Sequence, residues 1–202
     1  MKLIENETEQ KLRGGFYTPE PIAKFILQWA VNGDTGYDIL EPSCGDGVFL
    51  KQIKTDNIKY NSITAVEVDT DEAEKAASID LSNKVVLNED FHVFANVTKQ
   101  RFDLVVGNPS YIRYQYFNKK QQIEAEKIFQ SANLRYSKLT NAWVSFVVGS
   151  SLLLKDKGKI GFVLPAEILQ VSYARTLRNF LSHYYNKINI VSFKKLVFPD
   201  IQ

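Results

Sequence analysis

The chain has 202 residues, 45% of them hydrophobic and 24% charged, and a formal charge of +2. That is enough to bury one sizeable core, and too mildly basic to demand a nucleic-acid partner on charge alone. A single cysteine, Cys44, and two distant histidines, His92 and His183, leave no disulfide framework and weigh against a metal cage, so no metal is expected and each histidine is assigned to packing or surface. No apolar run is long enough to span a bilayer, and the opening "MKLIENETEQKLRGG" has no signal-peptide core, so a cytoplasmic address without a membrane partner is the default expectation.

The polar lead-in, residues 1–15, gives way at "TPEPIAKFILQWAV", where Ile22, Phe25, Ile26 and Trp29 recur at helical spacing and Thr18 before Pro19 suits an N-cap. Short Val/Ile-rich runs follow: "YDIL" (37–40), "ITAVEVD" (63–69), "KVVLNED" (84–90), "FDLVVGNP" (102–109), "GKIGFVLP" (158–165) and "INIVSF" (188–193). They are continuous rather than alternating, as strands covered on both faces are. Helical patterns lie between them at 47–54, 70–80, 141–155 and 166–182. Strand and helix alternating in this way predict an α/β fold with a doubly wound, mostly parallel sheet.

In such sheets ligands sit beyond the carboxyl ends of the strands, at the point where strand order reverses. Polar and aromatic residues follow four of these strands: "EPSCGDG", then Glu67 and Asp69, then Asp90 and Phe91, then Asn108-Pro109-Ser110-Tyr111. In "ILEPSCGDGVFL" (39–50), Gly45 and Gly47 allow a sharp turn and close approach to a ligand. Glu41 and Asp46 would repel a pyrophosphate, so a ligand carrying an amino or sulfonium charge fits better than the usual phosphate. Glu67 is placed to accept from two ribose hydroxyls, and Asp90 from an adenine amino group with Phe91 against the base. Helix N-caps or solvated carboxylates are the plainer roles for both acids.

These residues, in this order, resemble the S-adenosylmethionine-dependent amino-methyltransferases that modify DNA, in the arrangement where the cofactor half precedes the catalytic half. "GGFYTPEPIAKFIL" looks like the methionine-clamping motif, "LEPSCGDGVFL" the cofactor loop containing Cys44, "VEVD" the ribose acid, "EDF" the adenine pair and "NPSY" the catalytic tetrapeptide. "NAWVSFVVGSSLLL", "GKIGFVLPAEIL" and "LVFP" resemble the motifs that follow, so the likeness runs from about residue 11 to Pro199. It is most like the adenine-N6 enzymes of restriction–modification systems, particularly those fused to a nuclease. The resemblance implies a Rossmann-like class I methyltransferase fold, S-adenosyl-L-methionine as cofactor and double-stranded DNA as substrate. By position, Thr18 would bind the methionine carboxylate, Glu41 its amino group, and Glu67 the ribose, while Asp90, Phe91 and Phe146 would frame the adenine. Phe146 also sits in an apolar helix and fits the core equally well.

The chemistry of "NPSY" follows from the nucleophile. An exocyclic amine conjugated to a purine is a poor nucleophile until its nitrogen becomes tetrahedral, and acceptors for its two hydrogens favour that change. The Asn108 side-chain oxygen and the Pro109 carbonyl are assigned this work, the mirror image of an oxyanion hole. Tyr111 would stack on a flipped base and Phe198 would close the other face, although Phe198 beside Val197 also reads as core. An isolated Asn-Pro would simply start a turn. Ser110 stands where the family more often has a second proline, which costs stiffness rather than either acceptor. The next segment, with Arg113, Lys119 and Lys120 among Tyr114, Tyr116 and Phe117, suits either a mobile piece ordering on nucleic acid or a helix packing its aromatics. Between Ile168 and Pro199 lie Arg175, Arg178, Lys187, Lys194 and Lys195 and no acid, which is either a solvated face or a surface for phosphates.

The expected organisation is one catalytic domain over 1–202, with a cofactor half at 16–101 and a catalytic half at 102–202. The family's final antiparallel strand and target-recognition domain are absent from this sequence, so a truncated or split catalytic domain is expected, with DNA recognition supplied by a further domain or chain. A nuclease is not expected, since nothing precedes the first methyltransferase motif that could hold one. Competing functions are a protein-glutamine methyltransferase, which acts on a similarly planar amide, an RNA methyltransferase, and a non-catalytic cofactor-binding fragment.

Overall fold

The computed structural model describes residues 17–31, 33, 36–112, 116–136, 141–171 and 174–193. Its five strands are β1 (Asp38–Glu41), β2 (Ser62–Glu67), β3 (Lys84–Asn88), β4 (Phe102–Gly107) and β5 (Leu154–Phe162). They stand in the order β3-β2-β1-β4-β5, and every neighbouring pair is parallel. The order reverses between β1 and β4, which puts the switch point between "EPSCGDG" and "NPSY". The helices are α1 (Glu20–Ala30), α2 (Val48–Thr55), α3 (Thr70–Ala77), α4 (Phe91–Val97), α5 (Lys119–Ser131), α6 (Ala142–Leu152) and α7 (Arg175–Tyr184).

Neighbouring residues of each central strand feed opposite cores, which is why the strands are continuously apolar. Ile39, Ile63 and Leu104 pack with Ile22, Ile26 and Leu27 of α1 and with Phe49, Leu50 and Ile53 of α2. Leu40, Val66 and Val105 face the other way, onto Phe91 and Phe94 of α4 and Phe146 of α6. A further layer joins Ile128 and Phe129 of α5, Trp143 and Val147 of α6 and Leu177 of α7. Helix α6 is therefore covered all round, and its residues from Ala142 to Ser151 are all buried.

Five of the six expected strands form, and the departures have physical causes. The segment 188–193 is not a strand: Ile188, Ile190, Val191 and Phe193 are exposed, and β-propensity yields no ladder where no described strand lies alongside. Strand β5 starts at Leu154, ending the preceding helix early, because residues 155–158 bulge between the pairs Phe102↔Leu154 and Leu104↔Lys159. The bulge brings Lys155 Nζ to Asp38 (2.6 Å) and Asp103 (2.9 Å) at the amino end of the sheet. The helix expected at 166–182 divides into a 3₁₀ turn, Ala166–Leu169, and α7. There the Arg178 guanidinium donates to the carbonyls of Ile168 (2.9 Å) and Val171 (3.1 Å), so this arginine is committed to its own backbone rather than to a phosphate. Thr18 is not the cap of α1. The carbonyl of Pro19 accepts from Ile22 and Ala23, which moves the helix start one residue on. No helix among the described residues is long and apolar enough to cross a membrane.

Candidate active site

Four parallel strands release their chains at one edge of the sheet, and the loop after β1 is the tightest of them. Gly45 and Gly47 adopt φ of +49° and +85°, and a Cβ on Gly47 would lie 2.5 Å from Ile79 Cδ1, so the loop needs glycine there for both backbone and space. Glu67, at the end of β2, holds this loop: its carboxylate accepts from the amides of Gly45 (2.8 Å) and Asp69 (3.0 Å). With the amide of Val68 as a third donor, the carboxylate, which accepts about four, keeps room for a ligand. Burial raises the Glu67 pKa, although those amides pull it back.

Glu41 is the anomaly of the site. It is 1% exposed, and its Oε2 has no hydrogen-bond partner among the described residues. Burial, then the charges of Glu67 and Asp46, push its pKa well above the usual carboxylate range. A buried acceptor left open beside two further acids is matched by a ligand that brings a cation and its own N–H donors. An α-ammonium group with a sulfonium nearby satisfies both demands, so the donor set fits S-adenosylmethionine. Cys44 is buried, and its thiol is pushed up by burial and by both glutamates, so it serves packing rather than nucleophilic chemistry. Thr18 is buried too. Its neighbour Tyr17 reaches Glu72 on α3, which brings this segment beside the loop.

Asp90 caps α4 by accepting from the amides of His92 (2.8 Å) and Val93 (3.4 Å). Burial opposes its ionisation, but hydrogen bonds from the His92 ring and Gln121 outweigh it and hold the pKa down at about 2. His92 is no surface residue: it is 2% exposed, with Nδ1 at 3.0 Å from Asp90 Oδ1 and Nε2 at 2.7 Å from Ser145 Oγ on α6. Phe91 stacks on Phe146 with ring centroids 4.7 Å apart, so both rings belong to the core of that face. The pairing His92–Ser145 and the amide of Gln121 escape a reading of the sequence, because each joins helices far apart in the chain. The one local signal is Asn118-x-x-Gln121, a capping box that marks the start of α5.

The Asn108–Tyr111 turn abuts the loop after β1. A Cβ on Gly107, the last residue of β4, would lie 3.4 Å from Pro42 Cδ. Pro109 is buried and Asn108 partly so. The Tyr111 hydroxyl donates to Asn108 Oδ1 at 2.5 Å and lies 3.2 Å from the carbonyl of Val163, just beyond β5. Burial pushes the Tyr111 phenol up, so it stays a donor. The segment read as either mobile or helical is α5 from Lys119, with Phe117 buried at its start and Lys119 and Lys120 exposed. Phe198, Arg113, Tyr114, Lys194 and Lys195 lie outside the described residues. No group of three or more metal-ligating side chains that could hold an ion occurs among the described residues.

A parallel sheet with a glycine loop at its switch point, an open buried carboxylate and an Asn-Pro turn beside it define a methyltransferase-type α/β domain. The chain belongs to the Eco57I restriction-modification methylase family, whose pattern matches residues 21–198. It is 28% identical over 189 residues to the type II methyltransferase M.AccI of Acinetobacter calcoaceticus, covering 92% of this chain and 34% of that one. It is 27% identical over 158 residues to the type II restriction enzyme and methyltransferase RM.Eco57I of Escherichia coli, covering 75% of this chain and 15% of that one. The chain thus spans about a third, or less, of the length of these curated relatives. Among solved structures, it is similar to a protein described as a class I S-adenosylmethionine-dependent methyltransferase from Listeria monocytogenes (TM-score 0.66, 18% identity, 82% of this chain and 51% of that one). It is also similar to a chain of the DrdV–DNA complex (TM-score 0.65, 17% identity, 89% of this chain and 23% of that one). These two likenesses confirm the Rossmann-like fold.

Proposed function

We propose that this chain carries the methyl-transfer centre of a restriction–modification DNA methyltransferase, acting from S-adenosylmethionine on N6 of an adenine flipped out of duplex DNA. The observation that carries the reading is the open, buried Oε2 of Glu41 one strand away from the Asn108 turn. When bound, S-adenosylmethionine supplies a methyl group activated by its sulfonium. Glu41 accepts from the amino end, Glu67 from the ribose while fixing the glycine loop, and Asp90 from the adenine amine. Thr18 takes the carboxylate end. Phe91 and Phe146 give the adenine site a stiff apolar wall.

On the substrate side, the Asn108 oxygen and the Pro109 carbonyl accept the two hydrogens of the attacking amine and stabilise the charge that grows on its nitrogen. Holding amine and methyl donor in line contributes up to ~7–11 kcal/mol in well-oriented cases. Tyr111 stacks on the extruded base, recovering ~1–3 kcal/mol per base of the unstacking cost. Lys119 and Lys120, exposed at the start of α5, meet the phosphates beside the extruded nucleotide. Recognition of a target sequence belongs to a further domain or chain, as the combined restriction and methylation activities named for RM.Eco57I suggest.

The test is transfer of labelled methyl from S-adenosylmethionine by the purified chain to duplex DNA, RNA and protein, followed by nucleoside analysis. Label in N6-methyladenine from duplex DNA is the expected result. Label confined to RNA or to protein glutamine would overturn the substrate assignment, and failure to bind the cofactor would overturn the site.

A further inference from the structure

The two oxygens of Asp90 are used differently. Oδ1 serves its own helix, accepting from the His92 amide at 2.8 Å and facing the His92 ring at 3.0 Å. Oδ2 accepts from across the fold, from Gln121 Nε2 at 3.1 Å. Gln121 sits in the first turn of α5, where its Oε1 accepts from the Asn118 amide (3.1 Å) and its own amide donates to Asn118 Oδ1 (2.9 Å). One side-chain amide is therefore used at both ends: its oxygen fixes the start of α5, and its nitrogen fixes a carboxylate oxygen on the cofactor side. A carboxylate oxygen accepts two donors, and the Asp90 side chain is 19% exposed, so Oδ2 can still receive one N–H from a ligand.

We propose that Gln121 is a positioning residue. It aims Asp90 Oδ2 at the amino group of the cofactor's adenine, and it ties a filled adenine site to the start of α5. The inference rests on the reading of Asp90 as adenine acceptor. A free carboxylate would rotate about its last bond and lose orientation, whereas one pinned on both oxygens presents its remaining lone pair in a fixed direction. The arrangement also tolerates perturbation. One turn further along, Asn96 Nδ2 donates to the Glu124 carbonyl (2.9 Å) and carboxylate (2.8 Å), so α4 and α5 stay joined when Gln121 is replaced.

The experiment compares the full chain with Gln121→Glu and Gln121→Ala. Both variants lose the donor to Asp90, but glutamate keeps an oxygen for the capping box and alanine does not. Each protein is titrated calorimetrically with S-adenosylhomocysteine and with its analogue bearing hydrogen in place of the 6-amino group. The wild type should prefer the amino-bearing ligand, and that preference should fall about fivefold in both variants, the scale of one hydrogen bond. Amide exchange at 119–124 should slow when S-adenosylhomocysteine binds the wild type and not when it binds the variants. A preference unchanged in Gln121→Glu and reduced only in Gln121→Ala would show a capping role alone and overturn the proposal. A preference unchanged in both variants overturns it as well. A wild type that binds both ligands equally would instead overturn the adenine role of Asp90, and with it this inference.

Discussion

The two sides of the switch point prepare their acceptors in different ways. On the β1–β3 side, the carboxylates proposed to meet the cofactor are already held by the fold: Glu67 by the amides of Gly45 and Asp69, Asp90 by that of His92 and by Gln121 Nε2. On the β4 side, the oxygen that would receive the target amine is already engaged by the Tyr111 hydroxyl, which is in turn steadied near the carbonyl of Val163. Apart from the proton held by Glu41, the cofactor side stands ready before a ligand arrives. The target side must exchange one hydrogen bond for another. Binding of the donor should then be insensitive to changes in the catalytic turn, and transfer should be acutely sensitive to them.

Asn108→Ala tests that separation most severely. On the proposed reading it removes an acceptor aimed at charge that develops only during reaction, a type of contact whose loss costs roughly 10²–10³-fold in kcat. Turnover should fall by at least that factor, while the affinity for S-adenosylhomocysteine, measured by calorimetry, stays within about twofold. Joint loss of binding and turnover would mean that the two sides are not separate.

Glu41→Gln probes the other side, with a smaller expected effect. The amide keeps the shape and loses the charge, so affinity for the cationic donor should weaken about 30- to 160-fold, the scale of a charged hydrogen bond of roughly 2–3 kcal/mol. The pH dependence has a definite sign. Because burial raises the folded-state pKa of Glu41, the ligand-free protein holds a proton that the unfolded chain releases, and this contribution to stability is lost as pH rises through the folded value. A cationic ligand needs the ionised form, so binding expels that proton. Affinity should therefore tighten by up to about tenfold per pH unit from the ordinary carboxylate range up to the raised pKa, then level off. Glu41→Gln should flatten this profile and make the ligand-free protein more stable at neutral pH, as read by thermal unfolding.

The same asymmetry governs what the sequence discloses. The cofactor side is legible because its signals are local: a glycine loop behind a strand, an acid ending the next strand, an Asp-Phe pair opening a helix. The bland and functional roles even coincide at Asp90, which is both the cap of α4 and a candidate ligand acceptor. The second half is written in contacts between distant segments. Nothing near His92 announces Ser145, 53 residues away, and nothing near Asp90 announces Gln121, 31 residues away. The segment 188–193 shows the converse failure: strong strand propensity with no ladder among the described residues to receive it. Phe146 lies between these cases. Its apolar helix marked it as core and its family position as an adenine wall, and stacking on Phe91 makes one ring serve the packing on which the other role depends.

Tyr111→Phe is the finest test, because it alters the exchange itself and leaves the ring in place. The hydroxyl is an internal donor on Asn108 Oδ1, so removing it takes away one donor with which the target amine must otherwise compete. A protein–protein hydrogen bond traded for one with the substrate is nearly balanced, which limits the gain to roughly threefold in KM for DNA, with kcat almost unchanged. The unliganded variant loses about 1 kcal/mol of net hydrogen bonding, and its Tm should drop by about 2–4 °C for a chain of this size. A fall in kcat approaching that of Asn108→Ala would give the phenol a part in the reaction itself. The Tyr111–Asn108 bond would then belong to the working site, and the target side would be as fully prepared as the cofactor side.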